Sequence, residues 1–253
     1  MSENTQNLLS QCQYPPLETH YDIALRQAVA YIINRFDPIG IIASGSIVRG
    51  NPSANSDFDI HVIHDNPYRQ RIQKFFAGVP CEIFVNPPQR ISTYFTEENQ
   101  AGRPSTAHMF STGFVVLDTS PIITDLITEA QQFLQKPPEI SATRLQFLRY
   151  MIADSYENAL DIQDENPAMA LLLMSDIMTD LLRYYFWSRG QNLPRHKDML
   201  TVLAEQDETL SGHFRDFHLQ PIQARFQAAA ALMDMIVGVR GFFEWESDED
   251  LLR

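Results

Sequence analysis

Residues 45–62 read GSIVRGNPSANSDFDIHV, and the two halves of that stretch obey different rules. From residue 57 the chain alternates: Phe58, Ile60 and Val62 point one way, and Asp57, Asp59 and His61 the other. That period of two is the signature of a strand with one buried face. Ahead of it, residues 45–56 are rich in Gly, Ser, Asn and Pro and predict a loop, which follows a short apolar strand at 40–44 (GIIAS). Asp57 and Asp59 therefore leave one strand face as neighbours, with carboxylates about 5–6 Å apart. At an effective dielectric of about 20, two such charges repel by about 3 kcal/mol. A divalent cation held between them removes that cost, and Mg²⁺ favours one or two carboxylates together with substrate phosphates.

The loop supplies the complementary chemistry. Gly45 lets a backbone N–H approach an anion with no Cβ in the way, Ser46 adds a hydroxyl donor, and Arg49 offers a planar fork for phosphate oxygens. Phosphate donors joined by ten residues to a metal-binding pair describe a nucleotide–metal site. A third acid follows in 80–85 (PCEIFV), where Cys81, Ile83 and Val85 share one face and Glu82 lies opposite with Phe84. Residues 70–76 and 81–86 predict a hairpin around Ala77 and Gly78. Glu82 is either an exposed edge residue or a site acid. It joins the aspartates only if that hairpin pairs beside the 57–63 strand.

Further out, residues 18–36 carry Leu25, Ala28, Val29, Ile32, Ile33 and Phe36 at helical spacing, ended by Asp37-Pro38. Residues 114–117 predict another strand, and Ser120-Pro121 an N-cap and first residue of a helix running to about Gln135. The first dozen residues are polar and predict a loose start. At 136–139 (KPPE) strand signals stop; helices are expected over 141–165, from Asn166-Pro167 to before Gly190, and from Pro221 to about Val237. The fold class is thus α+β: a mixed sheet flanked by helices over residues 1–138, then an all-α bundle over 139–253.

Composition sets limits on function. The 253 residues hold 19 basic and 32 acidic side chains, a formal charge of −13, which counts against nucleic-acid or anionic-membrane partners. Residues 139–253 carry −9 of it. No run reaches the ~18 apolar residues of a membrane span. The N-terminus lacks the basic start and apolar core of a signal peptide, so a cytoplasmic protein is expected. Cys12 and Cys81 are isolated and predict free thiols in a reducing compartment.

The pattern GSIVRG, five residues, then SDFD and an apolar strand resembles the nucleotidyltransferases of the DNA polymerase β superfamily, in the form of small bacterial enzymes such as the aminoglycoside and lincosamide nucleotidyltransferases. Residues 68–87 and 95–113 are similar to bacterial members as well, and the resemblance spans about residues 20–135. It implies that Gly45 and Ser46 bind the triphosphate, that Asp57, Asp59 and Glu82 are catalytic and hold Mg²⁺ as two ions, and that an NTP, ATP first, is the co-substrate; Arg49 and Ser56 are expected to join the nucleotide site. Glu82 would complete the metal site or act as general base. The implied reaction moves a nucleoside monophosphate to a hydroxyl of a small molecule and releases pyrophosphate. The acidic helical half suits a cationic acceptor, and a homodimer is compatible with such a chain. Transfer to a protein partner, as in toxin–antitoxin members, and non-catalytic nucleotide binding are the alternatives.

Other residues have two readings each. Lys197, in the basic cluster Arg195-His196-Lys197, is the preferred further phosphate contact, against a solvated helix start. Arg103 is expected as a surface arginine, against a loop role near the site, and Arg69 and Arg71 as structural or surface residues. His61 is expected to be a hydrogen-bonded sheet histidine rather than a metal neighbour, since hard Mg²⁺ prefers oxygen. The run 181–187 (LLRYYFW) predicts core packing, and Asp154 with Glu157 shares a helical face able to meet a cationic acceptor. The acidic tail 244–250 predicts a solvated end.

Overall fold

A computed structural model describes residues 3–247. The chain divides into two compact units. The first is 1–99 with 104–136, and the second is 137–253 with the short segment 100–103.

The first unit is built on five strands: β1 (Gly40–Ser44), β2 (Phe58–Ile63), β3 (Gln70–Phe76), β4 (Val79–Asn86) and β5 (Phe114–Asp118), in the order β3-β4-β2-β1-β5. β2 and β4 are parallel and every other pair is antiparallel, so the sheet is mixed, as the sequence predicts. Both faces of the central strands are covered. On one, Ile41, Phe58, Ile60, Val62, Ile83 and Val85 meet the apolar stripe of α2 (Thr19–Phe36), whose Leu25, Ala28, Val29, Ile32 and Ile33 recur at helical spacing. On the other, Ile42 and Ile63 pack against α3 (Pro88–Gln100), α4 (Ser105–Thr112) and α5 (Ile122–Gln135). Asp37 ends α2 in the left-handed conformation, where the sequence places its break.

Three local expectations need correction. Residues 3–11 are not loose but form α1 (Glu3–Gln11), because Leu8 offers one apolar side chain to the core and is 8% exposed; residues 1 and 2 lie outside the described part. The helix expected to start on Ser120-Pro121 begins at Ile122, and no Ser120 hydroxyl caps it. The Asp118 carboxylate instead accepts from the Ile123 N–H at 3.4 Å and the Thr124 hydroxyl at 3.3 Å, taking over the capping role. The helix expected over 141–165 is α6 (Ala142–Asp161) and stops one turn early.

The second unit contains only helices among its described residues: α6, α7 (Pro167–Ser188), a 3₁₀ turn at His196–Asp198, α8 (Met199–Gln206), α9 (Glu208–Leu219) and α10 (Ile222–Ile236). Start signals in the sequence are used as read: Ser141 accepts from the Arg144 N–H, and Asn166 from the Met169 N–H ahead of Pro167. Ala170, Met174, Ile177, Met178, Leu181 and Tyr185 line the buried face of α7, so the aromatic run 181–187 is largely core. No described helix is long and apolar enough to cross a membrane.

Candidate active site

Sheet register brings the three acids together. β4 runs beside β2 with Asp59 opposite Glu82, and Ser44 of β1 stands opposite Asp59 on the other side. Glu82 therefore shares the sheet face of Asp59, and Asp57 lies one residue before β2. One ligand oxygen from each of Asp57, Asp59 and Glu82 falls within 4.8 Å of the others, and all three side chains are half-buried. This is the condition on which the sequence reading of Glu82 depended.

The local backbone is shaped around these carboxylates. Gly45 has φ 103°, and a Cβ there would lie 2.9 Å from the Asp57 carbonyl oxygen and 3.4 Å from Asp59 Oδ2. Any other residue would be strained and would intrude on the aspartates. Beyond it the loop turns back on itself, the N–H groups of Arg49 and Asn51 donating to the carbonyls of Gly45 and Ser46 at 3.2 and 3.0 Å. Ser46 and Ser56 hydroxyls meet at 2.6 Å, and the Ser53 N–H donates to Ser56 Oγ at 2.7 Å. Ser56 thus fastens the far end of the loop to Ser46.

Electrostatics mark the trio as strained when no cation is present. Burial, then the charges of Asp57 and Glu82, push the Asp59 carboxyl up from 3.8 to about 6, against the opposing pull of Arg49 and Arg71. Glu82 has partners of its own: Arg71 forms an ion pair with Glu82 Oε1, and Gln73 Nε2 donates to the same oxygen at 3.1 Å. Arg71, expected as a structural or surface residue, is exposed and also pairs with the third acid. The signal was available, since a hairpin turning at 77–78 places Gln73 opposite Glu82, and Arg71 two residues along on the same face.

His61 departs from expectation. It is 2% exposed and stacks on Phe84 with ring centroids 4.8 Å apart, with Phe110 at 5.0 Å. Neither ring nitrogen has a hydrogen-bond partner, and burial lowers its pKa to about 3. It is a neutral aromatic packing piece, not a hydrogen-bonded sheet histidine, because its strand position faces Phe84 and Phe110 rather than polar groups. A cavity of about 570 Å³ extends along this face, lined by His61, Arg69, Arg71, Phe84 and Tyr94. Arg69 donates to the Tyr94 hydroxyl at 3.0 Å. Cys81 faces the opposite side, buried and free, its pKa raised to about 12 by burial and the Asp57 charge. Cys12 is also free.

The remaining sequence candidates belong to the second unit. Lys197 is exposed in the 3₁₀ turn and makes no ion pair among the described residues, while Arg195 pairs with Asp198 at 2.6 Å. Glu157 accepts from the Phe242 N–H at 3.1 Å, and Asp154 lines a cavity of about 660 Å³ with Tyr150 and Trp245. Trp245 lies 5.2 Å from the Tyr150 ring, so the tail is not fully solvated as expected; residues 248–250 lie outside the described part.

The donor set of Asp57, Asp59 and Glu82 is all oxygen, a set that could hold a hard divalent cation. The mixed sheet carries two aspartates and a partner-strand glutamate behind a Gly-Ser turn, the arrangement that the resemblance to nucleotidyltransferases implies. Residues 25–143 match the family model of the nucleotidyltransferase domain, a segment that contains every residue of the trio and its loop. Among solved structures the chain is similar to a nucleotidyltransferase-like protein from Exiguobacterium sibiricum 255-15, with a TM-score of 0.51 and 13% identity over 85% of this chain and 73% of that one. At that identity the likeness speaks for the fold alone. No curated protein matches the chain in sequence.

Proposed function

We propose that this protein is a divalent-metal-dependent nucleotidyltransferase that moves a nucleoside monophosphate from an NTP, ATP first, to a hydroxyl of a small-molecule acceptor and releases pyrophosphate. The observation that carries the reading is the convergence of Asp57, Asp59 and Glu82 within 4.8 Å, beside a glycine turn that admits no Cβ. Mg²⁺ is the natural occupant of such a hard-oxygen set, held by these three side chains; it would supply charge neutralisation at the phosphates and at the departing pyrophosphate.

The chain's own groups divide the rest of the work. The Gly45–Gly50 turn offers the backbone N–H groups at its start and the Ser46 hydroxyl to the phosphates, with Arg49 as the charged donor. Ser56, hydrogen-bonded to Ser46, keeps that hydroxyl in place. Glu82 Oε1 is held by Arg71 and Gln73, so Oε2 is the atom left to serve the metal or take the acceptor's proton. Phosphoryl-type transfer needs little covalent help from a protein; alignment and charge stabilisation dominate.

The test is pyrophosphate release from ATP, with and without Mg²⁺, over a panel of hydroxylated acceptors. The reading predicts metal-dependent release with at least one acceptor, and none from Asp57→Asn or Asp59→Asn. Nucleotide binding unaffected by Mg²⁺, or wild-type release by either variant, would contradict it. Label transferred to a protein instead of a small molecule would move the acceptor assignment to the protein-modifying alternative.

A further inference from the structure

The second unit is acidic overall, yet one cavity in it is lined by cations. It measures about 430 Å³ and draws on segment 100–103, α6, α7 and the turn before α8. Its floor is Trp187, 5% exposed, with the Arg144 guanidinium 4.6 Å and that of Arg183 5.6 Å from the indole centroid. Arg103 enters from the side and contacts His196 Nε2. The one carboxylate in the lining, Asp180, is already paired with Arg183.

Several arginines of this protein pair with acids, Arg26 with Asp22, Arg90 with Glu97, Arg195 with Asp198 and Arg240 with Asp234, while others such as Arg69 and Arg149 bond neutral oxygens. Among the described residues, Arg103 and Arg144 have no carboxylate partner; Arg103 meets an imidazole, and Arg144 donates to the Gln100 carbonyl at 2.7 Å. His196 carries no negative charge in either protonation state, and burial with the charges of Arg103 and Arg183 lowers its pKa and favours the neutral ring. The backbone holds Arg103 in this position. Gly102 has φ 66°, and a Cβ on it would lie 2.2 Å from Trp187 Nε1. Its carbonyl accepts from both the Leu193 N–H at 2.8 Å and Trp187 Nε1 at 3.4 Å.

The other wall is apolar. Phe147 and Met151 are 53% and 40% exposed, and Leu148, Leu193 and Met199 adjoin them. We propose that this cavity binds an organic anion: a phosphate or carboxylate group held by Arg103 and Arg144, on an apolar body that lies along Phe147 and Met151 over Trp187. Planar guanidiniums suit either headgroup, and Arg144, set over the indole, and Arg103, set against His196, are already placed before binding. A cationic ligand, which the net charge of this half suggests, is excluded from the cavity by the same three arginines.

The chain has two tryptophans, Trp187 and Trp245, so W245F leaves Trp187 as the sole fluorescent reporter. In that background the protein is titrated with phenyl phosphate, benzoate, inorganic phosphate and benzylamine, by calorimetry and fluorescence together. Saturable binding of phenyl phosphate or benzoate with a change at Trp187 is expected, the better of the two identifying the headgroup. Inorganic phosphate should bind at least tenfold more weakly, and benzylamine not measurably. R103Q and R144Q should each weaken the aromatic anion about tenfold; Arg144 is exposed, so R144Q retains the fold even if R103Q does not. Absence of saturable binding by both aromatic anions, affinity unchanged in R144Q, or benzylamine binding as tightly as the anions would overturn the proposal.

Discussion

The first unit crowds three carboxylates on one sheet face, and the second gathers three guanidiniums around one indole. Both are concentrations of like charge, but they are made differently. In the first, Asp57 and Asp59 are two residues apart and Glu82 is placed opposite by strand register, so local periodicity and one pairing create the cluster. In the second, residues 103, 144 and 183 meet only through helix packing and a glycine turn against Trp187. Like charges kept together in a folded protein cost free energy that a counter-ion can return. On the readings proposed above, the first cluster takes a cation and the second an anion.

That contrast can be broken at several points. The largest effect belongs to the carboxylates. Asp57→Asn or Asp59→Asn should lower pyrophosphate release at least about 10³-fold, a loss of roughly 4 kcal/mol of transition-state stabilisation. Steady-state kinetics at saturating Mg²⁺ would check this, and a loss under tenfold would detach the trio from the chemistry.

Next comes the pH dependence of stability without divalent cations. Asp59 ionises near 3.8 when unfolded and near 6 when folded, so the native state binds more protons between those values. Stability must then fall as pH rises through that window and stay lower above it, by about 3 kcal/mol for a shift of this size. Asn at this position cannot ionise, so Asp59→Asn should be more stable than wild type at pH 8 and lose that advantage by pH 4. Urea denaturation at both pH values reads the difference; equal stabilities at pH 8 would mean the charges are not in conflict.

Smaller is the cost of Gly102→Ala. A left-handed φ and a clash with Trp187 should destabilise the second unit by about 1–3 kcal/mol. A lower melting temperature together with an altered Trp187 emission, in the W245F background, would report it. The smallest effect is expected at Arg71. Its guanidinium competes with a cation for Glu82, so Arg71→Ala should tighten Mn²⁺ binding a few-fold, whereas a purely structural Arg71 would weaken it. Calorimetric titration distinguishes the two signs.

How much of this was legible from residues alone follows the same division. The strand at 57–63 was readable because apolar and polar residues alternate there, and that at 40–44 as a short apolar run; the two aspartates inherit their shared face from the alternation. Glu82 was conditional: its face was fixed by sequence, but its strand neighbour was not. Arg71 was missed although the hairpin register implied it. His61 was misread because sequence shows which way a strand residue points, not that Phe84 and Phe110 wait there. α3 and α4 were not read from the sequence; Ile91, Phe95, Ala107 and Phe110 bury themselves with Ile42 and Ile63 on one face of the sheet, a tertiary contact that local periodicity does not show. The cationic cavity was invisible, and summed charge pointed the opposite way, since −9 over residues 139–253 averages over the places where arginines meet.

The central claim is that Asp57, Asp59 and Glu82 stand together because a cation binds among them. Its most direct measurement is the Mn²⁺ titration of wild type and Asp59→Asn by calorimetry at pH 7.5, before any nucleotide or acceptor is added. Saturable binding by wild type, weakened at least tenfold in Asp59→Asn, is the predicted result. Equal affinity in the two proteins, or no binding to wild type with or without ATP, would contradict it.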